Sequence, residues 1–491
     1  MTGVKIIIIG GGIAGLSAYL HLRKHYDLRE HELPTVTVYE SHKPRSAASD
    51  TSLPDQTNHP NQSVSLEALS ESTAIVGGGL GISPNGMRVL RDLSPDLHDR
   101  VVAQGFAADN FVFQGANGWT LGMHSTSDRA VRGKGDAEEV CIASSRHGLW
   151  STLRQYVTEM YGEDVIKHRK VTQIVRDDGK TRQKLQVHVL NEWGQEEVDH
   201  ADLVIGADGV KSVVRKALFG DDETYSPIYS GQSGVGGFHN ATIPSSIVDK
   251  KAMMFTFGGN GFFGYSSGAP VAKKQLMWWS TFETSSLPDT KDVDPRTIKD
   301  ALFERHKHWN DPIIQDLIRN ADVESIYPTW IMPELPHWGK LGMVLIGDAA
   351  HAMDPTTGQG ASQALEDSQA LALSLAEIFD CERYGQCKPT LGIDEAIDLF
   401  YKIRFPRVQK IVERGKQLAG RKASVGVVAE YTMYCFLWLL MKLPFLRKLM
   451  VGDTDRESYC WSAQQQIQQA MKSELNEFSP LLAFLPERSS R

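Results

Sequence analysis

The hydrophobic pattern predicts alternating strands and helices from the first residues. Val4 to Ile9 is an unbroken, largely β-branched run of the kind carried by a central parallel strand, and from Ile13 to His25 the apolar positions take helical spacing. Pro34 to Glu40, PTVTVYE, returns to strand, so the chain opens with a βαβ unit. From Ser41 to about Ser72 the pattern dissolves into Ser, Asn, Asp, Pro, Thr and Gln. Too few apolar residues remain to offset the entropy of ordering, and residues 41–72 read as a long mobile insertion, with a lid as the alternative. TAIVGGGLGISPNGMRVLRDL then mimics a second strand, glycine turn and helix. A fingerprint starting at Gly77 would need its third glycine where Ile82 stands, and Ser83-Pro84 suits an N-cap followed by N1, so this is a glycine loop near a ligand. Period-two alternation rich in aromatics runs from about Phe106 to Ala130 and from Tyr225 to Trp330. Helix-like RHGLWSTLRQYVTEMYG and strand-like ADLVIGADG lie between them, and beyond Gly360 the chain is mainly helical, with one helix from Asp394 to about Leu418.

Composition narrows the classes. A chain of 491 residues implies two or three structural units. The net charge of −8 is spread along the chain without a Lys/Arg tract, which argues against nucleic acid as a partner. Five cysteines without CxxC or Cys/His spacing predict reduced thiols, no disulfide framework and no metal site. The N-terminus lacks a signal-type apolar region, so a cytoplasmic protein is expected. Tyr431 to Met450 is apolar but interrupted at Lys442 and Pro444, too early for a transmembrane span. It reads as a helix packed on the body or in a subunit contact, with peripheral membrane contact as the alternative.

Gly10-x-Gly12-x-x-Gly15 sits between strand and helix, the context a dinucleotide fingerprint requires. Gly10 permits the tight turn, Gly12 the approach of a pyrophosphate, and Gly15 close helix–strand packing. Glu40, ending the second strand, can accept hydrogen bonds from a ribose. Downstream, GDAAHAMDPTTGQG puts Asp348 and His351 one helical turn apart, the spacing of an acid/base pair. The favoured reading makes His351 a packed, hydrogen-bonded residue and Asp354 an Asx-type turn before Pro355. Asp208, at the end of ADLVIGAD, either caps the next helix or meets a cofactor.

The fingerprint, DLVIGADGVKSVVR and MVLIGDAAHAMDPTTGQGASQALED occur in this order. With them the chain resembles the FAD-dependent aromatic hydroxylase family, the group A flavoprotein monooxygenases of the para-hydroxybenzoate hydroxylase fold, from Val4 to about Arg407. The resemblance implies an α/β fold in which residues 1–100, 136–222 and 337–390 form a discontinuous Rossmann-like FAD-binding domain. Residues 101–135 and 223–336 would form an inserted, mostly antiparallel β-sheet substrate domain, and 391–491 a C-terminal helical region. It further implies that Asp348 binds a ribityl hydroxyl, Pro355 borders the isoalloxazine, and Gly360 and Ala361 offer N–H groups to the pyrimidine edge. Gly79 and Gly81 would neighbour the flavin, Arg146 would contact the cofactor unless it is a salt-bridged helix cap, and Asp208 would serve both FAD and NAD(P)H.

The implied activity is monooxygenation: NAD(P)H and O2 are consumed and one oxygen enters an electron-rich aromatic, indole or polycyclic small molecule through a flavin C4a-hydroperoxide, as in secondary metabolism. The rivals are an FAD-dependent oxidase or dehydrogenase of the same fold and a non-enzymatic binding protein. One departure matters. Where many relatives carry a Trp-Arg pair on the sheet, this chain has Val235 and Gly236, which leaves Tyr265 and His239 as the nearest catalytic candidates. The aromatic strands Met253 to Phe282 are the expected pocket wall or, equally, core. Oligomeric state is left open.

Overall fold

Four successive isoleucines cannot alternate between core and water. In the computed structural model Ile6–Ile9 are all buried within the strand Lys5–Ile9, inside a six-stranded sheet. The structure describes residues 3–27, 34–42, 78–132, 137–176, 184–284, 294–321, 323, 326–383, 392–419, 426–443, 445, 449–450 and 452–478. Apart from Ser41 and His42, the expected mobile insertion lies outside them.

The sheet runs in the order Gly339–Lys340, Met343–Leu345, Leu203–Gly206, Lys5–Ile9, Thr35–Glu40, Ile166–His168, parallel except at the Gly339–Lys340 edge. Helix Ile13–Asp27 packs along the 24-residue helix Gly360–Arg383, where Ser368 Oγ donates to Ala14 O at 3.0 Å.

A seven-stranded sheet draws its strands from residues 110–125 and 228–331, antiparallel except for the pair Asn110–Gly115 and Ala252–Gly258. The fold is thus α/β with a mostly antiparallel second sheet and C-terminal helices, as the resemblance implies. Strand parity divides the second sheet into two faces. One face meets helices Pro295–His306 and Pro312–Asn320, within a stretch whose alternation had predicted strands only. The missed signal is the repeated Asp-Pro pair: Asp294 and Asp311 each cap a helix whose first residue is proline.

This parity fixes where the two catalytic candidates stand. Tyr265 stands opposite Met254 and Trp278, on the helix-covered face, and its hydroxyl donates to Asp311 Oδ2 at 2.7 Å. Beside it, Phe263 stacks on Trp278 and meets His306 edge-on. His239 pairs with Leu276 and shares that parity. Neither residue faces the side on which the glycine strand Gly79–Ile82 lies. That opposite face carries Phe111, Phe113, Phe255, Phe257, Phe262 and Trp279, whose rings form one contiguous surface.

The helices after Gly360 include Ile393–Ala419, Val427–Lys442, Thr454–Tyr459 and Ala463–Phe478. Among the described residues no helix is long and apolar enough to cross a membrane. Tyr265→Phe is expected to lower stability by about 1 kcal/mol through loss of the Asp311 bond and to leave turnover unchanged. Denaturant unfolding and steady-state kinetics on the same preparation check this; lost turnover at unchanged stability would restore Tyr265 as a catalytic residue.

Candidate cofactor site

The first strand ends at Gly10, whose φ of 102° suits glycine and where a Cβ would overlap Ala207 O. A Cβ on Gly15 would overlap Gly10 O, so only glycine lets the helix start this close to the turn. At Gly12 a Cβ would meet nothing within 4 Å, which leaves bare backbone facing open space. Two contacts clamp the loop: Gly11 N–H donates to Glu40 Oε2 at 2.6 Å, and Trp150 Nε1 donates to Gly11 O at 2.8 Å. Burial pushes the Glu40 carboxyl up, but hydrogen bonds from His42 and Gly11 outweigh it and hold the group below its ordinary value.

Asp208 follows the strand Leu203–Gly206 directly alongside, its N close to Gly10. Its Oδ2 accepts from Val213 N–H at 2.7 Å, the capping role read as an alternative, while Oδ1 is buried with no partner among the described residues. Burial raises its pKa despite the hydrogen bonds from Ser212 and Val213. An orphaned carboxylate oxygen beside a bare glycine loop suits a ligand hydroxyl. Buried Arg215 ties this loop to the next by donating to Val210 O and, at 3.1 Å, to Ala349 O.

The turn at Gly347 has φ 58°, and a Cβ there would press on Ala14 and Ala364 at 3.2 and 3.4 Å. Asp348 is exposed, whereas His351 is buried with Nε2 2.6 Å from Asp367 Oδ2. No Asp348–His351 pair forms. Asp367 also accepts from Gly347 N–H and Arg404 Nε, both at 2.8 Å. Arg404 reaches Glu366 at 2.6 Å, and Glu366 takes two bonds from Arg407 and one from Asn85. Arg404, Glu366 and Asp367 are at most 1 % exposed. Burial raises both carboxyls, but the charges facing them, Arg407 and Arg404 on Glu366 and His351 and Arg404 on Asp367, hold them below their ordinary values.

Asp354 Oδ1 accepts from Thr356 N–H at 2.8 Å, the Asx turn expected before Pro355, which is exposed. Gly360 then opens the helix with empty space where a Cβ would lie, and Ala361 beside it is half-buried.

The glycine strand Gly79–Ile82 pairs with Cys141–Ser145. A Cβ on Gly79 would overlap Met277 Sδ, so this glycine lets the strand rest on the second sheet, whereas a Cβ on Gly81 would lie 3.0 Å from Cys141 Sγ of the paired strand. Burial pushes the Cys141 thiol up to about 12, leaving it inert as a nucleophile. Arg146 starts the helix Arg146–Tyr161, is exposed, and forms no ion pair among the described residues, so the salt-bridged cap is not made. At Gly236 a Cβ would lie 2.6 Å from Trp278 O, so the strand has no room there for the arginine of the Trp-Arg pair.

Contacts join the segments that carry these residues: Gly10 approaches Ala207 and Asp208, Gly11 bonds Glu40, Arg215 bonds Ala349 next to Asp348, and Ala14 meets Gly347 as well as Ser368 of the helix that Gly360 opens. Bare backbone at Gly12, the lone Asp208 oxygen and the open helix start fit a dinucleotide. Sequence reasoning missed the Glu366–Asp367–Arg404–Arg407 cluster. Its signal was two acids inside the otherwise uncharged ASQALEDSQALALSL, matched by two arginines in RFPR.

Residues 62–386 match the family described as FAD binding domain. A zeaxanthin epoxidase of Oryza sativa subsp. japonica is 30% identical over 468 residues, covering 92% of this chain and 59% of that protein. The chain spans about half the length of the curated relatives it matches. The structure of HpxO from Klebsiella pneumoniae, complexed with FAD and uric acid, superimposes with a TM-score of 0.66 at 18% identity over 92% of this chain and 97% of that one. A salicylate hydroxylase substrate complex gives a TM-score of 0.63 at 16% identity, over 96% and 98%.

Arg404→Met leaves two buried carboxylates short of a partner and is expected to cost about 3 kcal/mol at neutral pH. Because both folded-state pKa values are depressed, the stability they contribute is present above the unfolded carboxylate pKa of about 4 and is lost as pH falls through the folded values. Denaturant unfolding of wild type and variant should therefore show a gap that narrows on acidification; a constant gap would refute the electrostatic account.

Proposed function

The chain belongs to the FAD-dependent aromatic hydroxylase family, and from that membership we propose that it is an NAD(P)H-dependent monooxygenase that places one oxygen atom of O2 on an apolar, electron-rich aromatic, indole or polycyclic small molecule. The observation that carries the reading is the uncharged ring surface of Phe111, Phe113, Phe255, Phe257, Phe262 and Trp279, on the face of the second sheet against which Gly79–Ile82 rests. FAD, when bound, supplies the redox chemistry, taking reducing equivalents from NAD(P)H and passing them to O2.

The residues of the chain bind, orient and exclude water. Bare backbone at Gly12 and the helix start behind it would receive the pyrophosphate and Glu40 the ribose, and Arg146, without an ion pair among the described residues, would offer a positive charge. Exposed Asp348 and the lone oxygen of Asp208 accept hydrogen bonds from cofactor hydroxyls. Pro355 would border the flavin ring, and Gly360 and Ala361, at a helix N-terminus where the dipole favours negative charge, would offer it N–H groups. The aromatic face provides stacking surface and keeps water from the reacting atoms. With Gly236 closed to side chains and Tyr265 on the other face, the substrate is held by apolar contact rather than by an arginine. The epoxidase relatives favour addition across a carbon–carbon double bond as the second outcome of the same chemistry.

The purified yellow protein is expected to oxidise NAD(P)H in the presence of substrate and to yield product heavier by one oxygen, read by mass spectrometry. Asp348→Ala should lose flavin and colour, whereas Phe255→Asp should keep both and lose turnover. Flavin reduced by substrate alone, and never by NAD(P)H, would replace this reading with an oxidase or dehydrogenase.

A further inference from the structure

Among the described residues, helix Val427–Lys442 is docked by one face only. Its buried Tyr434 accepts a hydrogen bond from Ala116 N–H at 3.0 Å and donates to Phe257 O at 2.7 Å, and Met441 fills the space that a Cβ on Gly122 would need. Gly122 stands opposite Phe113, so the helix seats on the edge of the aromatic face itself. Trp438 lies beside Trp119, with ring centroids 6.1 Å apart.

The outer face repeats at helical spacing through Val428, Tyr431, Cys435, Trp438 and Lys442. It is apolar where solvent should meet it: Val428 is 83 % exposed, and beyond the helix Phe445 and Leu449 are 76 % and 71 % exposed. Singly exposed apolar residues need no explanation, but a contiguous run of them does. Charge completes the pattern. From Tyr431 to Val451 the sequence has no Asp or Glu and three basic residues, Lys442, Arg447 and Lys448, in a chain whose net charge is −8. A helix of 16 residues is about 24 Å long, short of the roughly 30 Å hydrocarbon core, so it lies along a bilayer rather than across it.

We propose that this outer face is a docking surface for an anionic phospholipid membrane, with Trp438, Leu439, Phe445 and Leu449 entering the acyl boundary and Lys442 meeting the headgroups. Aromatic side chains at the interface and basic residues beside an apolar face are the features that bind such a surface. Docking here sets the edge of the aromatic face against the lipid, where an apolar molecule is dissolved.

The test is cosedimentation of the full-length, flavin-loaded protein with vesicles of phosphatidylcholine alone or with one-third phosphatidylserine, at low and high salt. The expected result is binding to the phosphatidylserine vesicles, several-fold weaker with phosphatidylcholine alone or in high salt. A Trp438→Glu/Phe445→Glu/Leu449→Glu variant, at exposed positions and checked for wild-type flavin content and circular dichroism, should lose binding, and Lys442→Glu should lose part of it. Absence of binding to every vesicle, or binding unchanged in the triple variant, overturns the proposal. So does a dimer in analytical ultracentrifugation that the triple variant converts to monomer without vesicle binding in the wild type, which would make this face a contact between copies. No step of the assay needs substrate turnover, so its failure leaves the monooxygenase reading standing, and the reverse holds.

Discussion

One buried carboxylate organises the cofactor side of this protein. Asp367 sits at 0 % exposure and holds three donors at once: the Gly347 backbone, His351 and Arg404. A charge so placed is tolerated only when its partners surround it, and here they come from two separate segments, the 347–351 turn and a later helix. Gly347 is the turn that presents Asp348, His351 closes that turn, and Arg404 comes from the helix Ile393–Ala419. The geometry of the turn is thus fixed by a charge behind it, which frees Asp348 to face outward.

The same long helix that carries Asp367 also meets the N-terminal βαβ unit. Small residues at Ala14, Gly347 and Ala364 bring the two helices and the turn into contact, and Ser368 bonds Ala14 O. The two glycine-rich turns are therefore packed against the same helix. Arg215 adds the Asp208 loop to this packing through Ala349 O and Val210 O. A cofactor spanning these segments meets a rigid seat, and the conformational cost of forming it falls on folding rather than on binding.

Across from this seat, strand parity does the chemical sorting. Alternate residues of Ala252–Gly258, Gly261–Ser267 and Gln275–Glu283 go either into the helix-backed core or onto the ring surface, and no charged residue of these strands lies between those rings. The ring surface continues at its edge to helix Val427–Lys442, joined through Tyr434 and the strand bearing Phe257. The apolar surface that starts beside the glycine strand thus ends at an apolar helix, and water gains little contact along it.

What the sequence by itself determined is local and periodic: the βαβ start, the three glycine spacings, the Asx turn at Asp354 and the packed character of His351 follow from side-chain size, backbone freedom and hydrogen-bonding capacity within a few residues. The Asp-Pro helix starts at 294 and 311 were legible too, though outweighed by the aromatic alternation around them. Tertiary structure decided the rest. Which face Tyr265 and His239 take depends on the register between strands far apart in sequence, since a shift of one residue exchanges the faces. That His351 belongs to Asp367 rather than Asp348 depends on where the helix Gly360–Arg383 returns, and that Gly236 admits no side chain depends on the approach of the Trp278 backbone. Those are distances between segments, and no local pattern encodes them.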